Sequence, residues 1–538
     1  MRRAVVVFGV LAACGGDEKL PKGPIAAQVT HYDLVLDLDS RAAKATVTAT
    51  VTTGGDCLTL PFRGQDLTSA TLDGAAADTM VDATSITACG RGWKAGDTVT
   101  LETEHTVALA TLSASQVGYS TKTDRDGNAY DYLLSWVNEC DRFAPCDNRP
   151  DQFATYTFDV THAAGMTVRC PGTVTDVSAT ETTCDFTFDG GPTYSSFGII
   201  GSTAWTPMDM GTWAGVHVTL YDRSQTGIAA AVDTTYHTGF LTWMQSQFGA
   251  WPFGSELRVL TAPTYWDGFE HPGNIVLADG LAGERGTYKH PVTHVLDHEM
   301  THMWAGNQTT LAGTYDFAWK ESMAEYLPYV YEDMTDPTAA PPTRAYWKAA
   351  SAQAKYFPVP DDKPALFDYY GDAYGPGPMV LFRQLEALTS RDQVLAALKS
   401  VLGHPHALSV DDLVAALATS TGLDLTAYSA AWIHGTGKPV WPTVMLTFTP
   451  GTGTSTLVVH QATSPEKTCK FHVGLMGANA GEQQLVEVDT FRNGIDQTIS
   501  VPTPAFTVAS VILDPLAECL VFPAAFTAGP RIEPWVAH

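Results

Sequence analysis

The sequence predicts a multidomain α+β chain in which a mostly helical middle is flanked by two β regions, and three observations carry that reading. Residues 25–221 are built of short alternating stretches, such as Ala45-Thr46-Val47-Thr48-Ala49-Thr50-Val51, separated by Gly- and Asp-rich turns. Residues 222–439 instead carry apolar positions at helical spacing. From 440 to 538, strand-like runs with turn signals return and suggest a β-sandwich of about 100 residues. At 538 residues, 45% of them hydrophobic, the chain is long enough for three such domains.

The leader comes first. Met1-Arg2-Arg3, an apolar stretch and Leu11-Ala12-Ala13-Cys14 form a segment too short to span a membrane but suited to export. Its end resembles a bacterial lipoprotein box, which implies cleavage before Cys14, lipidation of its thiol and anchoring to a membrane through acyl chains alone. Residues 1–24 are thus expected to be signal and tether, the alternative being plain secretion. Nine cysteines minus Cys14 leave eight, an even set that suits an oxidising, extracytoplasmic compartment. Eight cysteines allow 105 connectivities. Nearness in sequence suggests Cys57 with Cys89, Cys140 with Cys146, Cys170 with Cys184, and Cys469 with Cys519. No cysteine lies between Cys184 and Cys469, which argues against thiol chemistry in the helical domain.

In that domain, helices are expected over 228–248, 319–331, 345–354, 379–388 and 394–402, with Pro-rich surface connections at 336–342 and 357–362. One more helix is bounded by Pro291 in a first turn and Gly306 as a stop, with Val292, Val295, Leu296 and Met303 on its apolar side. It holds the most informative motif, His298-Glu299-Met300-Thr301-His302. Four residues apart on a helix, the two imidazoles can reach one metal ion. Glu321, nineteen residues after His302, completes the two-histidine, one-carboxylate set of a catalytic zinc with an open position for water. Zinc brings the pKa of its water to about 7, and Glu299 is placed to take the proton as general base. Glu325, one turn beyond Glu321, can accept the other N–H of a ligand histidine. His294 and Asp297 with His298 give a weaker echo of an inverted zinc motif, and His294 is read as a helix-face or supporting residue.

These residues, with Trp304, Gly306 and Asn307 and the following Trp319, Glu321 and Ala324, resemble the signature of the aminopeptidase N family of gluzincin zinc aminopeptidases. The resemblance extends to residues 31–39, to Phe143-Ala144-Pro145-Cys146-Asp147, to residues 248–253 and to residues 432–439. It implies a saddle-like N-terminal β domain and a thermolysin-like catalytic domain. It also implies that Gly268, Phe269 and Glu270 bind substrate, Glu270 taking the free amine in the manner of a ruler that admits only unblocked N-termini. His271 and Pro272 depart from the family's pattern, and proline removes a donor from a strand expected beside the substrate. Tyr374, followed by Gly377, is the best match to the catalytic tyrosine that donates to the oxyanion, with Tyr369 and Tyr370 as near alternatives. Glu139, upstream of Arg142, is a weak candidate for a further amine-site residue. Larger members append a helical C-terminal domain for which this sequence has no room, so a more open cleft is expected.

With 31 Lys and Arg against 58 Asp and Glu, the net charge of −27 disfavours nucleic acid as a partner. The expected function is zinc-dependent removal of N-terminal residues from peptides with free N-termini, with one catalytic Zn²⁺. The alternatives are a less selective zinc endopeptidase and a surface binding lipoprotein without turnover.

Overall fold

A computed structural model describes residues 22–110, 117–284 and 288–524. Cys14 and the leader lie outside the described residues.

The N-terminal region is β-rich because its alternating stretches bury one face each. In the strand Ala42–Thr53, Ala43, Ala45, Val47, Ala49 and Val51 point inward and the intervening residues outward. Eight strands form one sheet, in which Ala26–Asp37 runs antiparallel to Ala42–Thr53 and parallel to Phe153–Thr161. Cys57–Cys89, Cys140–Cys146 and Cys170–Cys184 are bridged here, and Cys469–Cys519 near the C-terminus, the four pairs suggested by nearness in sequence.

A five-stranded sheet then crosses the boundary placed at residue 222. Thr206–Trp213 pairs with Val216–Asp222, which runs parallel to Glu256–Ala262, then Asn274–Ala278, with Gly268–His271 at the edge. The sheet of the helical region therefore begins earlier in the chain than the sequence reading had it, because alternation reveals a strand but not its partner. Helices Pro291–Thr301, Phe317–Thr335 and Ala340–Ser351 pack beyond it. Pro341 and Pro342, read as part of a surface connection, instead lie in the first turn of the last of these, where a missing N–H costs nothing. Residues 228–248 divide into Ile228–Ala231 and Thr234–Phe248, because Asp233 caps the second helix by accepting from Thr235 N and Tyr236 N. Beyond residue 440, strands Thr443–Thr449, Thr454–Ala462 and Asp496–Pro502 share one sheet with Phe522–Pro523. Lys470–Met476, Gln483–Asp489 and Ser510–Leu513 form another.

Candidate metal centre and cleft

The helix Pro291–Thr301 is fixed by its buried side, Val292, Val295, Leu296 and Met300, and carries His298 and Glu299; His302 follows its last residue. Glu321 and Glu325 lie one turn apart on Phe317–Thr335, which packs against it. The Nε2 atoms of His298 and His302 are 3.0 Å apart, and Glu321 Oε2 is 3.3 and 3.4 Å from them. Nδ1 of His298 faces Glu325 Oε1 at 3.2 Å, and Nδ1 of His302 faces the Ala305 carbonyl at 3.0 Å. With each Nδ1–H donated to an oxygen, two imidazole lone pairs and a carboxylate oxygen converge on one point, the donor set a metal cation takes. Tetrahedral zinc with bonds of about 2.0–2.2 Å sets its ligand atoms roughly 3.3 Å apart, so the donor set and its spacing fit zinc.

Glu325 is held from several sides. It accepts from Trp347 Nε1 at 2.7 Å and from the Tyr288 hydroxyl at 3.1 Å. Against the cost of burial, hydrogen bonds from His294 and His298 bring its carboxyl down to about 2. It is therefore an ionised acceptor that fixes the tautomer and direction of His298.

Glu299 reaches the cleft beneath the edge strand Gly268–His271. A Cβ at residue 268 would stand 2.2 Å from Glu299 Oε1, so this approach requires glycine. Burial pushes the Glu299 carboxyl well above its ordinary range; the nearby Glu270 and Glu321 push the same way against His298. Asn307 Nδ2 donates to the Glu270 carbonyl at 2.6 Å, and His271 Nδ1 to the Ser195 carbonyl at 2.6 Å, fixing the strand. Pro272 falls in the hairpin turn after His271, not within a strand beside the cleft. The concern raised by its missing donor therefore does not apply.

The cleft is lined by these groups together with Trp136, Trp266, Phe269, Tyr370 and Tyr374. The Tyr374 hydroxyl donates to Glu321 Oε2 at 2.7 Å and lies 2.5 Å from that of Tyr370. Tyr369 turns away and donates to the Pro358 carbonyl. Glu139 is not among the lining residues. It pairs with Arg142, which the turn Cys140–Arg142 brings onto it, and at 3.2 Å with Arg63, which Asp141 of the same turn also holds. Trp136, three residues earlier, faces the cavity instead.

Sequence reasoning also passed over Lys320. Its ammonium lies 2.6 Å from Glu270 Oε1 and 2.6 Å from Glu321 Oε1, with only 2% of the side chain exposed. Burial alone would neutralise it, but the two carboxylates outweigh that and keep it protonated. Its position beside Glu321 was visible in sequence; Glu270 as its partner was not.

No curated protein matches the chain in sequence. Residues 268–432 match the model of the peptidase family M1 domain. Among solved structures, an M1 zinc metallopeptidase variant from Deinococcus radiodurans, bound to a Tyr-Ser-Ala substrate, superposes with TM-score 0.62 at 20% identity. The match covers 77% of this chain and 96% of that one. A two-domain M1 zinc metallopeptidase variant bound to L-tryptophan gives TM-score 0.62 at 21% identity, over 78% and 97% of the two chains. At that identity the likeness establishes a shared fold. A peptidase family M1 domain thus matches the segment that supplies most of the cleft, whose donor set fits zinc, within a fold shared with M1 zinc metallopeptidases.

Proposed function

We propose that the chain is a zinc-dependent metallo-aminopeptidase, with one zinc held by His298, His302 and Glu321. The observation that carries this reading is the convergence of their three ligand atoms within 3.0–3.4 Å, with Glu299 brought alongside over Gly268. When bound, zinc supplies a Lewis acid and makes water a nucleophile near neutral pH.

The chain's own residues do the rest. Glu299 takes the proton of the attacking water and passes it to the departing amine, a task suited to a carboxylate whose pKa burial has raised. Tyr374 donates its hydroxyl hydrogen to the scissile carbonyl oxygen as negative charge builds there, leaving its present partner Glu321. Glu325 positions His298. Gly268, Phe269 and Glu270, which line the cleft beside the ligand set, hold the substrate's N-terminal residue. The four disulfides support an extracytoplasmic location, with Cys14 as the lipid anchor.

Hydrolysis of a panel of aminoacyl p-nitroanilides, with and without a zinc chelator, tests the reading. The wild type should turn over in a chelator-sensitive manner and Glu299→Gln should not. Absence of such turnover from the wild type would leave a binding protein on the same fold.

A further inference from the structure

A second cavity, of about 360 Å³, is lined on one side by the N-terminal β region and on the other by the five-stranded sheet, and none of its residues also lines the cleft. Arg258 lines it from the strand Glu256–Ala262, in register with Thr219 on one neighbouring strand and Asn274 on the other. This arginine is only 8% exposed. Its Nη1 donates to Asn274 Oδ1 at 2.8 Å and to the Cys170 carbonyl at 3.3 Å, and its Nη2 to the Gly172 carbonyl at 2.7 Å. The loop that supplies these carbonyls is pinned by the bridge from Cys170 to Cys184. Gly172 has a φ of +93°, and a Cβ there would stand 2.3 Å from the Asp185 carbonyl oxygen, so this loop path requires glycine.

All three acceptors are neutral. The Nε–H and the second Nη2–H of Arg258 find no acceptor among the described residues, and neither does the buried Nδ2 of Asn274. The two acids that line the cavity are engaged elsewhere. Asp176 holds Arg169 through both oxygens, at 2.8 and 3.1 Å, and Glu256 faces His217 at 3.0 Å. Burial draws the Arg258 guanidinium down to about 10, which leaves it charged near neutral pH, and Arg169 adds repulsion. A buried charge without a counter-ion is costly, and N–H groups on two neighbouring guanidinium nitrogens match the two oxygens of one carboxylate. The space in front is far larger than a bare ion needs and falls in the range of small-ligand pockets. Val174, Phe188 and Phe253 present carbon to it.

Beyond the peptidase reading and independently of it, we propose that this cavity is a binding site for a small organic acid. Its carboxylate accepts from Arg258 Nε and Nη2, and its apolar body lies against Val174, Phe188 and Phe253. N-acylated aromatic amino acids and short fatty acids share that chemistry.

Calorimetry on the zinc-loaded protein tests it with N-acetyl-L-phenylalanine and octanoate, against N-acetyl-L-phenylalaninamide and inorganic phosphate. At least one of the two acids should bind with a Kd below about 1 mM, and the tighter of them tells an aromatic from an aliphatic body. The amide, which has no charge for Arg258, and phosphate, which has no apolar body, should each bind at least about tenfold more weakly. R258M should weaken the acid by about tenfold or more. S255E brings an internal carboxylate to the cavity from an exposed lining position and should do the same with circular dichroism unchanged, so it decides the matter if R258M does not fold. Binding of neither acid, the result expected of an arginine that only holds the loop at residues 170–172, overturns the proposal. So does an amide or phosphate as tight as the acids. An acid affinity unchanged in S255E overturns it too, because the acid would then sit elsewhere, on the zinc for example.

Discussion

The helix Pro291–Thr301 has two faces built of the same residue types to opposite ends. On the cleft side, His298 and His302 turn their Nε2 atoms towards each other and share one carboxylate, Glu321. Behind them histidines face acids: His294 Nδ1 meets Glu332 Oε1 at 2.8 Å, and His237 Nδ1 meets Asp297 Oδ1 at 2.7 Å. His294 also approaches Glu325 at 3.6 Å. A histidine that faces carboxylates lets a proton sit between nitrogen and oxygen and closes the charge balance within the protein. Two imidazoles facing one another leave it open, and a metal ion closes it. Partner geometry, more than residue identity, separates a metal ligand from a structural ion pair.

The comparison is broken most severely from the cleft side. Glu321→Ala should abolish chelator-sensitive hydrolysis and bring zinc content towards zero, while the folded protein keeps its circular dichroism. Retention of stoichiometric zinc, measured by atomic absorption, would mean that the ion is held elsewhere. Next in size is Tyr374→Phe, which removes a donor and no ligand. It should lower kcat by about 10²–10³ and leave zinc content unchanged. If Tyr370 is the true donor, Tyr370→Phe will show the larger loss of the two.

From the other face, His294→Ala should act on stability and hardly on the metal. Removing one partner of a buried pair costs about 3–5 kcal/mol. Zinc affinity should change by less than about tenfold, because Glu325 keeps Tyr288, Trp347 and His298. This contribution has a pH signature. Although burial alone would lower it, Glu332 and Glu325 raise the folded-state pKa of His294 from 6.5 to about 10. A raised histidine pKa gives stability that is fully present below 6.5 and is lost as pH rises through about 10. The gap in unfolding free energy between wild type and His294→Ala should therefore narrow over that interval. A gap that widens with pH would refute the ion pair.

The two faces were not equally legible. The four-residue spacing of His298 and His302 is displayed directly by the sequence, Glu321 was legible as the carboxylate that completes their ligand set, and Glu325 follows from Glu321 by the same spacing. The rear pairs were hidden because His237 lies on Thr234–Phe248 and Glu332 far down Phe317–Thr335, so their meeting is a matter of packing. Lys320 was hidden for the same reason: its partner Glu270 comes from an edge strand some fifty positions earlier. Trp136 enters the cavity from the N-terminal region, and the sheet that spans residues 206–278 joins segments whose alternation gave no hint of partnership. Strand and helix type were readable from local pattern. Pairing between distant segments was not.

The smallest effect tests whether the rear face is a support and nothing more. Asp233 caps the helix that brings His237 to Asp297 by accepting from Thr235 N and Tyr236 N, at 2.9 and 3.1 Å. Asp233→Ala should cost about 1 kcal/mol of stability through the lost cap. The cap is remote from the cleft, and His237 stays seated by its stacking on Trp213 at 5.4 Å and by Asp297. Accordingly kcat, KM and zinc affinity should be unchanged within error at a temperature where the variant remains folded. A fall in zinc affinity would show that the alignment of this helix is transmitted through Asp297 to His298, and the two faces would then have to be treated as one coupled unit.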